Sequence, residues 1–196
     1  LVTGAGGSIG SEICKKIIET KADKLIILDS NEYSLYKVEK NLQSLIKSIN
    51  SNIKIISVLS DIRNKQSLKR IFYNFNINIL FHAAAYKHVP IVEDNIVDGI
   101  NNNIFGTLNL CKLAFKNEIK NFILVSTDKA VRPTNVMGAT KRVAEMIVQA
   151  YSSEVKQVKD SNFSIVRFGN VLESTGSVIP LFREQIKGGG PITLTH

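Results

Sequence analysis

Apolar residues gather in short runs at 25–28, 53–59, 77–81, 122–125 and 163–168, and the opening residues Leu1 and Val2 begin one more. Each run has the length of a strand and is apolar almost throughout, as expected of strands covered on both faces. The intervening segments are long enough for helices and carry stripes at spacings of three and four. One stripe is Leu35, Val38, Leu42, Leu45 and Ile49; a later one is Ile100, Ile104, Leu108 and Cys111. This alternation predicts an α/β fold, a doubly wound parallel sheet with right-handed crossovers and helices on both faces. Ligands of such a sheet bind beyond the carboxyl ends of its strands. The predicted domain covers residues 1–187, with the start of its first strand missing. The three glycines at 188–190 read as the passage into a truncated substrate-binding region that begins with 188–196.

The polar motifs fall at the expected strand ends. After the first strand, Gly4, Gly7 and Gly10 punctuate a turn that runs into helical residues and brings Ser8 and Ile9 to the helix start. Glycine is needed there because the backbone must turn sharply while approaching a pyrophosphate, which the helix N-terminus then binds. The second run ends at Asp29, 19 residues after Gly10, close to the spacing of a ribose-binding acid. A carboxylate there would repel a 2′-phosphate, and Ser30 and Asn31 bring no arginine to counter it, so NAD is expected over NADP. The alternative for Asp29 is a cap on the helix starting near Asn31. Asp61 and Ile62 follow the third strand, where acid and backbone amide suit adenine; a helix cap is the alternative. In HAAAYKHVP, Ala83, Ala84 and Ala85 leave room for a flat cofactor, and Lys87 and His88 bring polarity to the mouth. His82 reads as structural, and His88 as a substrate contact or a packing residue. Asn102 and Val171 complete the expected cofactor-binding set.

The fifth strand ends in Ser126, Thr127, Asp128 and Lys129, a density of polar side chains that packing does not explain. Downstream, Met137 and Lys141 stand one helical turn apart on one face. The sixth strand runs into a segment where Asn170, Ser174, Thr175 and Ser177 can bind hydroxyls or phosphate, and Gly169 and Gly176 permit close backbone approach. A second ligand besides the dinucleotide is implied. No histidine has a partner at metal-ligand spacing, and no metal is expected.

Composition narrows the class. At 196 residues and 44% hydrophobic the chain can bury a real core, and both ends look cut from a longer protein. No apolar stretch is long enough for a bilayer span. Cys14 and Cys111 lack a C-x-x-C partner and read as core thiols of a reducing cytoplasm. The net charge of +8 is spread over lysines scattered among Asn and Ile. That pattern suits solvated helix faces rather than nucleic acid, and its field would attract a nucleotide-sugar diphosphate or an anionic membrane surface.

TGAGGSIG, HAAAYKHVP, STDKAVRPTNVMGATKR and RFGNVLESTGSVIPLF together resemble the extended short-chain dehydrogenase/reductase superfamily, whose fold is Rossmann-like. More narrowly they resemble the CapD-type polysaccharide biosynthesis proteins, nucleotide-sugar 4,6-dehydratases acting on UDP-N-acetylglucosamine. The superfamily's Tyr-x-x-x-Lys has methionine in the tyrosine position, Met137, as in the membrane-anchored branch of these dehydratases. The resemblance implies hydride transfer from sugar C4 to NAD, elimination of water across C5 and C6, and return of the hydride to C6. It implies that Thr127 orients the C4 hydroxyl, Lys129 removes the C5 proton, Asp128 protonates the departing C6 hydroxyl and Lys141 holds the nicotinamide ribose. For those roles the pKa of Lys129 should fall, helped by the charge of Lys141, and that of Asp128 should rise. Substrate contacts are expected from Lys87, His88, Thr127, Asn170, Thr175 and Ser177. The reading is of a cytoplasmic domain, with room for an upstream membrane anchor and for a homo-oligomer. Two competing readings are a nucleotide-sugar 4-epimerase, against which Asp128 and Lys129 speak, and a non-catalytic NAD-binding module, which the missing tyrosine would suit.

Overall fold

Every strand here is covered on both faces, so its side chains divide between two cores. In β2 (Lys24–Asp29), Leu25 and Ile27 join one buried cluster while Ile26 and Leu28 join the other. The computed structural model describes residues 1–158, 160–169, 171 and 178–193. Its six strands are β1 (Val2–Thr3), β2, β3 (Lys54–Leu59), β4 (Ile79–His82), β5 (Asn121–Thr127) and β6 (Asn162–Phe168). They form one parallel sheet in the order β3-β2-β1-β4-β5-β6. The order reverses at β1, so a crevice opens between the carboxyl ends of β1 and β4. The doubly wound parallel sheet expected from the apolar runs is therefore the fold observed.

Helices α1 (Ser8–Ile18) and α2 (Glu32–Ser48) cover one face, burying Cys14, Ile18, Leu35, Val38 and Leu42 with Val2 and Ile27. On the other face, α3 (Lys65–Asn74), α6 (Thr107–Lys116) and α7 (Val136–Val158) bury Leu68, Phe72, Leu110, Cys111, Ala114, Ala144 and Val148 around Phe122. Between them run α4 (Val89–Asp94) and α5 (Ile96–Ile100), and α8 (Val178–Lys187) follows β6. The helix starts are fastened by side chains. The amide of Ser34 donates to Asn31 Oδ1 (2.8 Å) and that of Ser67 to Asn64 Oδ1 (3.0 Å). The amide of Val136, at the start of α7, donates to Glu93 of α4 (2.6 Å). The caps of α2 and α3 are thus Asn31 and Asn64, and neither Asp29 nor Asp61 serves that purpose. No helix among the described residues is long and apolar enough to cross a membrane.

Two expected stripes need correction. Ile49 lies past the end of α2 and is exposed, because the helix stops at Ser48. The stripe through Ile100, Ile104 and Leu108 is not the buried one. A π-helical segment at Asn101–Gly106 joins α5 to α6, and its wider turn shifts the inward face by one position. Gly99, Asn102, Asn103, Gly106 and Thr107 are buried instead, while Ile100, Ile104 and Leu108 are half-buried. Gly106 has to be small, since a Cβ there would stand 2.5 Å from Ile62 Cδ1.

The π segment is tied to the sheet through a buried histidine, as its sequence context suggested. Thr107 Oγ1 donates to the carbonyl of Asn103 (2.7 Å), so His82 Nε2 must donate to Thr107 (2.9 Å). His82 Nδ1 then accepts from Thr3 Oγ1 (2.8 Å), which fixes a neutral ring between β1 and the helix. Burial, and secondarily the charge of Lys141, lower its pKa to about 3. The unfolded chain takes up this proton near pH 6.5 and the folded chain only near 3. The stabilisation is therefore complete above pH 6.5 and declines as pH falls toward 3. Between pH 7 and pH 4 the loss from this one group should be roughly 3 kcal/mol. Urea midpoints of the parent and of His82→Gln, measured at both pH values, check this: the variant should lose distinctly less on acidification, and parallel losses would refute the assignment.

Candidate functional site

The crevice at the switch point holds a cleft of about 1010 Å³ that continues, across Gly4, Gly7, Ser8 and the segment 83–88, into a second space of about 610 Å³. Both lie at the carboxyl ends of the strands. The turn that forms their floor is closely packed. Gly4 has φ +67°, and a Cβ on it would stand 2.6 Å from the amide nitrogen of Ala84. A Cβ on Gly10 would overlap the Gly4 carbonyl oxygen. Gly7 stands in the cap position of α1 and makes no side-chain cap bond to the helix, the arrangement that suits an anion. Ser8, Ile9 and Gly10 line the larger cleft along with Gly4 and Gly7.

The smaller space is lined by Asp29, Ser30, Asn31, Asp61, Ile62, Ala83, Ala84, Ala85, Lys87 and Asn102. Asp29 is fixed by two backbone amides, Gly6 N to Oδ2 and Asn31 N to Oδ1, each 2.9 Å. Its carboxylate is thereby aimed from the end of β2 with lone pairs to spare. Asp61 is differently placed from expectation, because Arg63 takes both its oxygens through Nε and NH2 at 2.6–3.0 Å. These bonds hold the Asp61 carboxyl below the usual carboxylate range, and any adenine contact has to share it with Arg63.

The segment after β4 is shaped by Asn103, a residue the sequence reading missed. Its amide makes four hydrogen bonds. Oδ1 accepts from Tyr86 N (2.8 Å) and Asn102 Nδ2 (3.1 Å), and Nδ2 donates to Tyr86 O and Thr140 Oγ1 (3.0 Å each). Thr140 in turn donates to Met137 O (2.7 Å). One buried amide thus sets the loop that carries Lys87 and His88 against the helix that carries Met137 and Lys141. The only signal in the chain was three asparagines in a row inside an apparently apolar helix.

The larger cleft gathers Val125, Ser126, Thr127, Lys129, Met137, Lys141, Phe168, Gly169 and Val171 with Lys87 and His88. Thr127 ends β5, and Asp128 and Lys129 form a single 3₁₀ turn, Asp128–Ala130. Thr127 Oγ1 donates to Asp128 Oδ1 (2.9 Å) and accepts from Lys129 N (3.4 Å); Lys129 Nζ lies 3.3 Å from the same Oδ1. Chiefly through the Thr127 hydroxyl, and then through Lys129, the Asp128 carboxyl is held below its ordinary range. This is opposite to the rise expected for a general acid, and the cause is local: the acid is already solvated by its neighbours. Met137 and Lys141 are both buried in the wall. Lys141 Nζ donates to the Val125 carbonyl (2.8 Å), and burial lowers its pKa to about 8 against the opposing charge of Glu145. Asn170, Thr175 and Ser177, with Ser174 and Gly176, lie outside the described residues.

A six-stranded parallel sheet in this order, with a glycine turn beneath a cleft at the switch point, defines a Rossmann-type domain. Comparison with known proteins narrows it. The whole chain, residues 1–196, matches the family described as Polysaccharide biosynthesis protein, and the chain belongs to that family. It is 47% identical over its full length to "Capsular polysaccharide biosynthesis protein CapD" of Staphylococcus aureus, of which it covers 32%. It is 45% identical to "Uncharacterized membrane protein MJ1061" of Methanocaldococcus jannaschii, covering 56%, and 35% identical to "UDP-glucose 4-epimerase" of Rickettsia canadensis, covering 55%. The chain therefore spans about a third to a half of these relatives. Among solved structures, Pen from Bacillus thuringiensis superposes over the entire chain with a TM-score of 0.86 at 36% identity, 59% of that protein being covered. DesIV, a dTDP-glucose 4,6-dehydratase of Streptomyces venezuelae solved with NAD and TYD, shares the fold over 97% of this chain and 62% of its own, with a TM-score of 0.75 at 23% identity.

Replacing Asn103 by alanine would leave the amide and carbonyl of Tyr86 and the side-chain amide of Asn102 without this partner, while Thr140 keeps its bond to Met137. Each such group costs about 1–3 kcal/mol when left unsatisfied, so Asn103→Ala should lower stability by at least about 2 kcal/mol. Urea unfolding and limited proteolysis at residues 86–88 measure both consequences; an unchanged midpoint with an uncut loop would show that the amide does not hold this segment.

Proposed function

We propose that this chain is the NAD-binding and catalytic part of a nucleotide-sugar 4,6-dehydratase that converts UDP-N-acetylglucosamine to a UDP-4-keto-6-deoxy sugar for cell-surface polysaccharide or glycan synthesis. The observation that carries the reading is the hydrogen-bonded set Thr127, Asp128 and Lys129 at the end of β5, packed beside a buried Met137 and Lys141 in the wall of a dinucleotide-sized cleft. The glycine turn, the glycine cap of α1 and the anchored carboxylate of Asp29 fit NAD, which when bound would accept a hydride from the sugar's C4 and return it to C6. NAD in the solved DesIV structure and the name of CapD support cofactor and pathway.

The chain's own residues do the proton work. Met137 has no exchangeable proton, so the C4 hydroxyl must be met by another group, and Thr127 is the hydroxyl at that position on β5. When Thr127 turns its hydrogen toward the sugar O4, whose own proton leaves to solvent as the hydride departs, Asp128 loses its main stabilising donor and its carboxyl rises toward the range in which it takes up a proton and passes it to the departing C6 hydroxyl. Lys129, beside it, takes the C5 proton made acidic by the 4-ketone. Lys141, anchored on the Val125 carbonyl, presents positive charge to the nicotinamide ribose. Lys87 and His88 stand at the mouth toward the sugar and its diphosphate. Asn170, Thr175 and Ser177 are assigned to the same ligand from the sequence pattern. The buried free thiols Cys14 and Cys111 suit a cytoplasmic domain, and the membrane-protein relative supports an anchor elsewhere in the full-length protein, which we take to be a homo-oligomer.

A second reading is a 4-epimerase, favoured by the 35% identity of the whole chain to a protein of that name. Incubating the full-length protein with UDP-N-acetylglucosamine separates the two: loss of the mass of one water marks the dehydratase, and an isomer of unchanged mass the epimerase. Within the dehydratase, oxidation and elimination should separate. Asp128→Asn should accumulate reduced cofactor and 4-keto sugar, with turnover down about 10²- to 10⁴-fold; near-normal turnover in both Asp128→Asn and Lys129→Met would sink the assignment.

Met137 and Thr127 should behave differently. Met137→Leu keeps volume and stays aprotic, so most activity should survive. Thr127→Val removes the hydroxyl and should cost roughly tenfold to a hundredfold in rate. The opposite ranking of the two variants in the water-loss assay would overturn this division of labour.

A further inference from the structure

Glu145 is fully buried, yet no role in the cleft has been given to it. It stands four residues after Lys141 on α7, and three elements meet at its carboxylate. From β6, Arg167 forms a two-pronged fork, Nε to Oε1 at 2.8 Å and NH2 to Oε2 at 2.7 Å. From α7 itself, Arg142 NH1 reaches Oε2 at 3.0 Å. From β5, Ser126 lies against the same carboxylate without completing a full hydrogen bond. Burial alone would push the carboxyl up, but these contacts prevail and bring it down to about 2. It is therefore a fixed negative charge throughout the neutral range.

The positions of its partners are telling. Arg167 immediately precedes Phe168 and Gly169, and Ser126 immediately precedes Thr127; all of these except Arg167 line the cleft. We propose that Glu145, held between Arg142 and Arg167 four residues along α7 from Lys141, is a positioning residue that sustains the positive charge of Lys141 while tying the end of β6 to α7. The inference rests on the dinucleotide reading of the cleft only for what Lys141 contacts. The bond network itself stands apart from that reading.

Desolvation works against a charged Lys141, and the anion four residues on works for it. The other charged or titratable groups around Lys141 do not replace that anion. From β4, His82 is neutral. From the 3₁₀ turn, Asp128 is engaged with Thr127 and Lys129. From β6, Arg167 brings positive charge. From α4, Glu93 is bonded to the start of α7, and from α5, Asp98, which lines the same cleft, is paired with Arg63 at 3.6 Å. Removing Glu145 should therefore lower the protonation midpoint of Lys141, and removing Arg142, which offsets Glu145, should raise it.

The pH dependence of trace acetylation of Lys141, read by mass spectrometry in the full-length protein, tests both signs. The parent should show a midpoint near pH 8. In Glu145→Gln it should move down by roughly one pH unit, and in Arg142→Gln up by a fraction of that, because an opposite charge at this range shifts a pKa by about one unit or more. A residue with a merely structural role would not move the midpoint in opposite directions. Should Glu145→Gln fail to fold, Arg142→Gln, at a half-exposed position, still decides the sign. An unmoved midpoint in folded Arg142→Gln, or the same direction in both variants, overturns the proposal. NADH binding followed over the same pH range should track the Lys141 midpoint. Labelling shifts as expected with no NADH binding in the parent would sustain the role of Glu145 and remove the dinucleotide reading instead.

Discussion

The closest constraint in this molecule is the passage of the Gly4–Gly10 turn over the ends of β1 and β4. The backbone of Gly4 sits against that of Ala84, and Gly10 sits against the carbonyl of Gly4, with no space for a side chain at either glycine. Everything at the switch point is measured from there. β1 contributes only two residues to the sheet, but they pair on one side with Ile27 and Leu28 and on the other with Phe81 and His82. A shift of the turn would displace α1, Asp29 and the segment after β4 together.

A second layer of polar fastening builds outward from that frame. His82 joins β1 to the helix through Thr107, and Asn103, in the π-helical segment of that helix, joins the loop after β4 to α7 through Thr140. Both fasten the stretch where the chain gives up ordinary packing, the π-helical segment whose inward face is Gly, Asn and Thr rather than aliphatic. Such a face contributes little hydrophobic stabilisation, but each saturated buried amide or imidazole accepts only one arrangement of its neighbours. The cleft wall gains definition at the expense of core burial. The same trade recurs around Glu145, where a buried carboxylate between two arginines replaces what could have been apolar packing between α7 and β6.

Charge at the β5 end is arranged so that each group is solvated by another. Thr127 and Lys129 serve Asp128, the Val125 carbonyl serves Lys141, and Arg142 and Arg167 serve Glu145. The chemistry proposed for this end asks that one of these pairings be given up to substrate, and the Thr127–Asp128 bond lies at an exposed position.

The apolar runs and their spacing determined the parallel α/β architecture, because a strand buried on both faces must be apolar at successive positions and no other common environment demands that. They also placed Gly4, Asp29, Thr127, Asp128, Lys129 and Lys141 at strand ends or on a cleft-facing helix, since those positions follow from where a run stops. What the sequence could not carry was decided by contacts between distant segments. The π-helical turn moved the buried stripe from Ile100 and Ile104 to Gly99 and Asn103, and periodicity cannot register a single wider turn. Arg63 took the carboxylate of Asp61, Thr127 lowered rather than raised the readiness of Asp128 to hold a proton, and Asn103 found Tyr86 and Thr140, and Glu145 found Arg167, across 17 to 37 positions of chain. Hydrogen bonds of that kind depend on where side chains end in space, and a pattern of hydrophobic and polar positions specifies only which way they set out.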